Sequence, residues 1–175
     1  MKIFSTVRIV FFAFLALFAT QLFAQDTVSD SLITAKIKAK LLTDPSLSAF
    51  KIDVSTNPDG VVTLSGTVNS DTDAVALVQM AQATDGVTDV DASKLTVKES
   101  KQPLADLVIT AKVKGIFLRE NVLGQAADNI NVETNNGVVY LSGDVATQKT
   151  ADDAVNLAKT IKNVKSVESR INVVK

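Results

Sequence analysis

The 175-residue chain has no cysteine, no histidine and no tryptophan, a single tyrosine and only three prolines. Each absence removes something. Without cysteine there is no disulfide, so any fold must be held by its apolar core alone. There is also no thiol to carry a bacterial lipoprotein anchor. Without histidine, Ser-His and Cys-His nucleophile pairs are excluded, and so is the commonest transition-metal ligand. Scarce aromatics and a net charge of −1 argue against nucleic acid as a partner.

Residues 1–24 read as a secretory leader. Lys2 and Arg8 give a positive start, Ile9 to Phe18 is an apolar run, and small residues lead to a cut after Ala24. A retained membrane anchor is the competing reading, although the run is short for a span. The leader holds two of the 18 basic residues and none of the 19 acidic ones. The remainder therefore carries a net charge of −3, and the chain is expected to be secreted.

What is present is a repeat. Asp30-Ser-Leu-Ile-Thr-Ala-Lys-Ile-Lys returns as Asp106-Leu-Val-Ile-Thr-Ala-Lys-Val-Lys, and Gly60-Val-Val-Thr-Leu-Ser-Gly66-Thr-Val68 returns as Gly137-Val-Val-Tyr-Leu-Ser-Gly143-Asp-Val145. The offset of 76 to 77 residues is too long for a solenoid unit and long enough for a small domain. The expected organisation is module one at 30–98, a linker at 99–105 containing Pro103, and module two at 106–175.

Each copy carries the same run of signals. Ile33, Ile37 and Leu41 fall on one helical stripe, with Asp30 or Ser31 as the cap and Asp44-Pro45 as the stop. Ile109, Val113 and Phe117 repeat the stripe after a cap at Asp106. Alternating Ile52/Val54 and Ile130/Val132 mark strands. Asn57-Pro-Asp-Gly60 and Asn135-Asn-Gly137 mark turns. A second strand follows, in which Gly66 and Gly143 fall on the core face, expected to admit a close helix or a bulge. A second helix is expected at about 71–83 and 150–161, and a last strand at 94–98 and 170–174. The order α-β-β-α-β predicts an α+β fold, each module a three-stranded mixed sheet with two helices on one face.

This unit, with Gly-Val-Val-x-Leu-x-Gly-x-Val in its second strand and Ile-Thr-x-Lys-Val/Ile-Lys in its first helix, resembles the BON domain. Two copies behind a leader resemble the osmotically inducible periplasmic protein Y family. The resemblance implies a non-enzymatic protein of the osmotic stress response, without cofactor, metal or small-molecule substrate, that binds phospholipid surfaces or holds envelope proteins. Many BON modules carry a glycine before the valine of the last loop. Gly86-Val87 keeps it and Asn163-Val164 does not, so a differently shaped loop is expected in module two.

The copies differ in charge. Residues 30–98 hold nine acidic and six basic side chains, and residues 106–175 hold eight and nine. Lys149, Lys159, Lys162, Lys165 and Arg170 form the late basic excess. They read either as a solvated face whose lysines complement the helix dipole or as a patch for anionic lipid headgroups. The second helix of module one is uncharged from Ala74 to Ala83. Its outer side, Val75, Ala76, Gln79, Met80 and Ala83, predicts contact with the other module or with a client protein. Asp71/Asp73, Asp89/Asp91 and Asp152/Asp153 are set aside as catalytic pairs, because a helix start or a loop explains them. The expected function is chaperone-like binding of envelope proteins, with peripheral binding of anionic phospholipid as the alternative. The pattern leaves the oligomeric state open.

Overall fold

The computed structural model describes residues 22–120 and 123–174. Residues 1–21 of the expected leader (1–24) lie outside them. Among the described residues no helix is long and apolar enough to cross a membrane.

Module one runs α1 (Leu22–Thr43), β1 (Ile52–Thr56), β2 (Val61–Ser70), α2 (Asp71–Gln82) and β3 (Asp89–Glu99). Module two runs α3 (Leu104–Arg119), a short 3-10 turn, β4 (Ile130–Asn135), β5 (Val138–Val145), α4 (Gln148–Thr160) and β6 (Ser166–Val173). Each sheet is mixed. β1 pairs antiparallel and β3 parallel with the central β2; β4 and β6 flank β5 in the same way.

The apolar stripes read from the sequence are the cores. Ile33, Ile37 and Leu41 of α1 and Ala74, Leu77, Val78 and Ala81 of α2 bury against Val62, Leu64 and Val68 of β2. Ile109, Val113 and Phe117 of α3 and Ala151, Ala154 and Ala158 of α4 do so against Val139, Leu141 and Val145 of β5. Each fully buried aliphatic side chain contributes about 1.5–3 kcal/mol. These are the two-helix, three-stranded α+β modules that the repeat predicts.

Four local expectations are corrected. Helix α1 does not start at Asp30 or Ser31; it begins at Leu22, because no glycine or proline interrupts residues 22–29. Helix α3 starts behind Pro103 with no side-chain cap. Asp106, one turn in, accepts instead from the backbone N–H groups of Asn136 and Gly137, both at 2.9 Å. Gly66 and Gly143 admit neither a helix nor a bulge. A Cβ there would strike the carbonyl oxygen of Lys51 or Asn129, and both glycines adopt φ near +131°. The crowding comes from the chain entering the neighbouring strand. The last strands begin at Asp89 and Ser166, earlier than expected, because parallel pairing follows the whole central strand.

The loop ahead of β6 keeps the shape of its counterpart. Asn163 takes φ 72° where Gly86 takes φ 91°. Val164 N–H donates to Ile161 and Val87 N–H to Thr84, closing the same turn. Asparagine tolerates that left-handed conformation, so the missing glycine changes nothing in the backbone path. β3 differs from β6 in one respect: its pairing with β2 slips between Thr63 and Ser65, whereas β6 stays in register along β5.

Candidate functional site

The outer side of α2 faces α3. Val75, Ala76 and Met80 are half-buried and pack on the module-one core, which also takes in Ala111 and, at its margin, Val108 of α3. Gly115 lies at the crossing. A Cβ built on it would stand 2.6 Å from Gln82 Cβ and 2.8 Å from the Gln79 carbonyl oxygen. No side chain fits there without moving backbone. Ala83 ends the helix half-buried, its N–H turned back to Gln79.

Two cations from α3 close the joint. Lys112 Nζ lies 2.6 Å from Asp89 Oδ1, with the lysine side chain 6% exposed. Arg119 donates to the carbonyl oxygens of Gln82 and Val87, at the C-terminal end of α2 and in the loop before β3. Exposed carbonyls at a helix end attract such a donor. Gln82 is 1% exposed, and its side-chain Oε1 has no partner. Of the acidic pairs set aside from the sequence, Asp89 therefore lies in a strand, not a loop, and carries an ion pair. Asp73 completes a capping box with Ser70, and Asp71 accepts from Lys101 N–H.

The basic residues of module two do not form one patch. Lys159 ends α4, Lys162 lies in the following turn, and Lys165 precedes β6, its N–H donating to Gly137 at 2.8 Å. Those three lie around one loop and are exposed. Lys149 stands at the other end of α4, ion-paired at 2.6 Å with Asp153. Arg170 pairs across from Ser142 on β6, on the sheet face that strand alternation turns away from the helices.

The two last strands have unequal cover. Val90, Ala92 and Leu95 of β3 are buried, with α3 of module two lying against the module-one core. In β6, Val167 and Ile171 are only half-buried and Val173 is 43% exposed. Val155, Leu157 and Val164 are half-buried beside them. Among the described residues, no three carboxylates gather closely enough to hold a metal ion.

Sequence reasoning missed Asp89, Lys112, Gly115 and Arg119 as a set. A signal existed: the first helices of the two copies match closely, yet Ala39 and Thr43 stand where the second has Gly115 and Arg119.

The chain matches the model of the BON domain at residues 29–99 and again at 105–175. It is 37% identical over 147 residues to Osmotically-inducible protein Y of Escherichia coli (strain K12), covering 81% of this chain and 71% of that protein. It is 28% identical over 152 residues to an uncharacterized protein in the gshII 5′ region of Anaplasma centrale, covering 83% of this chain and 95% of that one. Among solved structures, the C-terminal domain of CdsD, a structural protein of the Type III secretion system of Chlamydia trachomatis, aligns at 16% identity and a TM-score of 0.30. That alignment covers 83% of this chain and 67% of that chain, and so low a score carries no weight for the fold.

Proposed function

Since the chain belongs to the BON-domain family, we propose that it is a non-catalytic periplasmic protein of the osmotic and envelope stress response that holds non-native segments of envelope proteins. The observation behind this reading is the thin cover of β6. Val167, Ile171 and Val173 remain partly open on a strand with one unpaired edge. Such an edge accepts an extended segment through main-chain hydrogen bonds, and its apolar side chains grip alternate residues of the guest. The α2 side of module one is not available for this, since α3 lies on it. The test is aggregation of an unfolding outer-membrane protein with and without the mature chain. Suppression that is lost in Ile171→Lys/Val173→Lys supports the reading; equal suppression by the variant removes β6 from it.

Lys159, Lys162 and Lys165, gathered at one loop, favour a second reading, peripheral binding to anionic phospholipid, with each lysine contributing about 1 kcal/mol near a charged surface. Sedimentation with anionic and zwitterionic vesicles at low and high salt tests it. Salt-sensitive binding to anionic vesicles that is lost in Lys159→Glu/Lys162→Glu supports this alternative. Absence of binding to either vesicle rejects it.

A further inference from the structure

Helices α1 and α3 are two copies of one sequence with opposite surroundings. Ala111, Lys112 and Gly115 of α3 are buried in the joint. Their counterparts on α1, Ala35, Lys36 and Ala39, are all exposed. The chain thus displays, on α1, an uncovered version of the surface that α2 binds on α3. In a second copy of the protein that surface is a rival partner for α2.

The decisive position is the crossing. At Gly115 the nearest atoms to a built Cβ are a backbone carbonyl oxygen at 2.8 Å and the Cβ of Gln82 at 2.6 Å. Neither is the far end of a flexible side chain, so an alanine cannot be seated at this distance. The corresponding residue on α1 is Ala39. Its helix also carries Thr43 in place of Arg119, the donor to Gln82 and Val87.

The other end of the molecule is closed differently. On α4 the positions matching Val75, Ala76 and Gln82 are Asp152, Asp153 and Lys159. The apolar docking side of α2 is there charged, and Asp153 is already paired with Lys149.

We infer that α2 recognises its partner helix by a glycine at the crossing point, with an arginine four residues on. Only α3 carries both, so module one accepts module two and refuses module one of a second copy. With α4 charged, neither end of the two-module stack continues it, and a heterologous contact that would otherwise grow into an open chain is stopped.

The full mature chain tests this. Gly115→Ala should keep the circular dichroism of both modules while releasing the joint. The radius of gyration by small-angle scattering should rise, and tryptic cleavage at Lys101 should accelerate at least tenfold. An unchanged radius together with an unchanged cleavage rate would overturn the inference. Moving the recognition elements is the second test, and it does not depend on a subtle loss. Gly115→Ala/Ala39→Gly/Thr43→Arg should self-associate at least tenfold more tightly than Gly115→Ala in sedimentation equilibrium, because α1 of one copy now fits the vacated α2 of another. Equal association of the two variants would show that glycine and arginine do not set the choice.

Discussion

Helices α1 and α3 share the run Ile-Thr-Ala-Lys-Ile/Val-Lys, yet one shows its lysine to water and the other buries it. Lys36 is exposed, whereas Lys112 is 4% exposed and held by Asp89 at 2.6 Å. The inward stripes are equivalent, so the difference is not in how each helix meets its own sheet. It lies in what arrives on the far side: α2 for α3, and none of the described helices for α1. Identical local sequence therefore fixed the fold of each module, while a few unlike residues decided which module would be covered.

The comparison breaks hardest at the buried ion pair. Asp89→Asn leaves the Lys112 ammonium inside the joint without its counter-charge, and should cost about 3 kcal/mol. Lys112→Met removes the buried cation as well and should cost less, about 1–2 kcal/mol, because Asp89 is 26% exposed and can be solvated. Lys36→Met on α1 should change stability by less than about 0.5 kcal/mol. Urea unfolding of the three variants checks the order. Equal losses at Lys36 and Lys112 would mean that the joint contributes nothing to stability.

The first hairpins give the next contrast. In module two, Asp106 accepts from two backbone N–H groups of the Asn135–Gly137 turn while 6% exposed. In module one the turn supplies its own acceptor: Asn57 Oδ1 takes the N–H groups of Asp59 and Val61 at 3.1 and 2.8 Å. Asp106→Ala should therefore cost about 2 kcal/mol and Asn57→Ala about 1 kcal/mol, since the first leaves the buried Gly137 N–H without its acceptor and the second frees only exposed donors. Thermal unfolding of both variants measures the ratio.

Much of this was written in the chain. The repeat, the alternation of the central strands and the helical stripes gave both modules and nearly all of their cores. What escaped depended on partners distant in sequence. Asp106 reads as a helix cap from its neighbours alone, because the turn it holds lies 30 residues on. Asp89 reads as a loop carboxylate until Lys112 is seen beside it. The outer side of α2 was legible as apolar, but its partner helix was fixed only by Gly115, whose reason is a carbonyl oxygen on another helix. The basic residues were legible as a cluster in sequence, but a strand and a helix of ordinary length carry Arg170 and Lys149 away from the other three.

Smaller effects follow at the second helices. Ser70 and Asp73 bond reciprocally at the start of α2, with Ser70 Oγ accepting from Asp73 N–H at 3.2 Å and Asp73 accepting from Ser70 N–H at 3.0 Å. Thr147 accepts from Thr150 N–H at 3.1 Å, but Thr150 returns no bond to the cap backbone. Both caps should cost about 1 kcal/mol when replaced by alanine, with Ser70→Ala the larger. Differential scanning calorimetry of the two variants would show the difference as a lower melting temperature for Ser70→Ala.

The weakest expected contrast is with pH, and it falls on module one. Asp44 is held below the ordinary 3.8, chiefly by the Ser46 hydroxyl and then by its N–H. Asp91 is also held low, first by the Ser93 N–H and hydroxyl and then, against the opposing effect of burial, by the charges of Lys112 and Lys94. A carboxylate with a lowered folded-state pKa gives stability that is fully present above the unfolded value and is lost as pH falls through the folded one. Acid should therefore loosen the turn after α1 and the middle of β3 only as pH falls below the ordinary carboxylate value of 3.8. Both groups are largely open to solvent, so each effect is small. Asp44→Asn/Asp91→Asn should flatten the acid limb of the stability curve without changing it near neutrality relative to its own plateau. Carboxyl titrations by NMR with midpoints at or above 3.8 for these two residues would remove the premise. Midpoints below it, with Asp91 rising in Lys112→Met, would tie the titration of a module-one strand to a lysine contributed by module two.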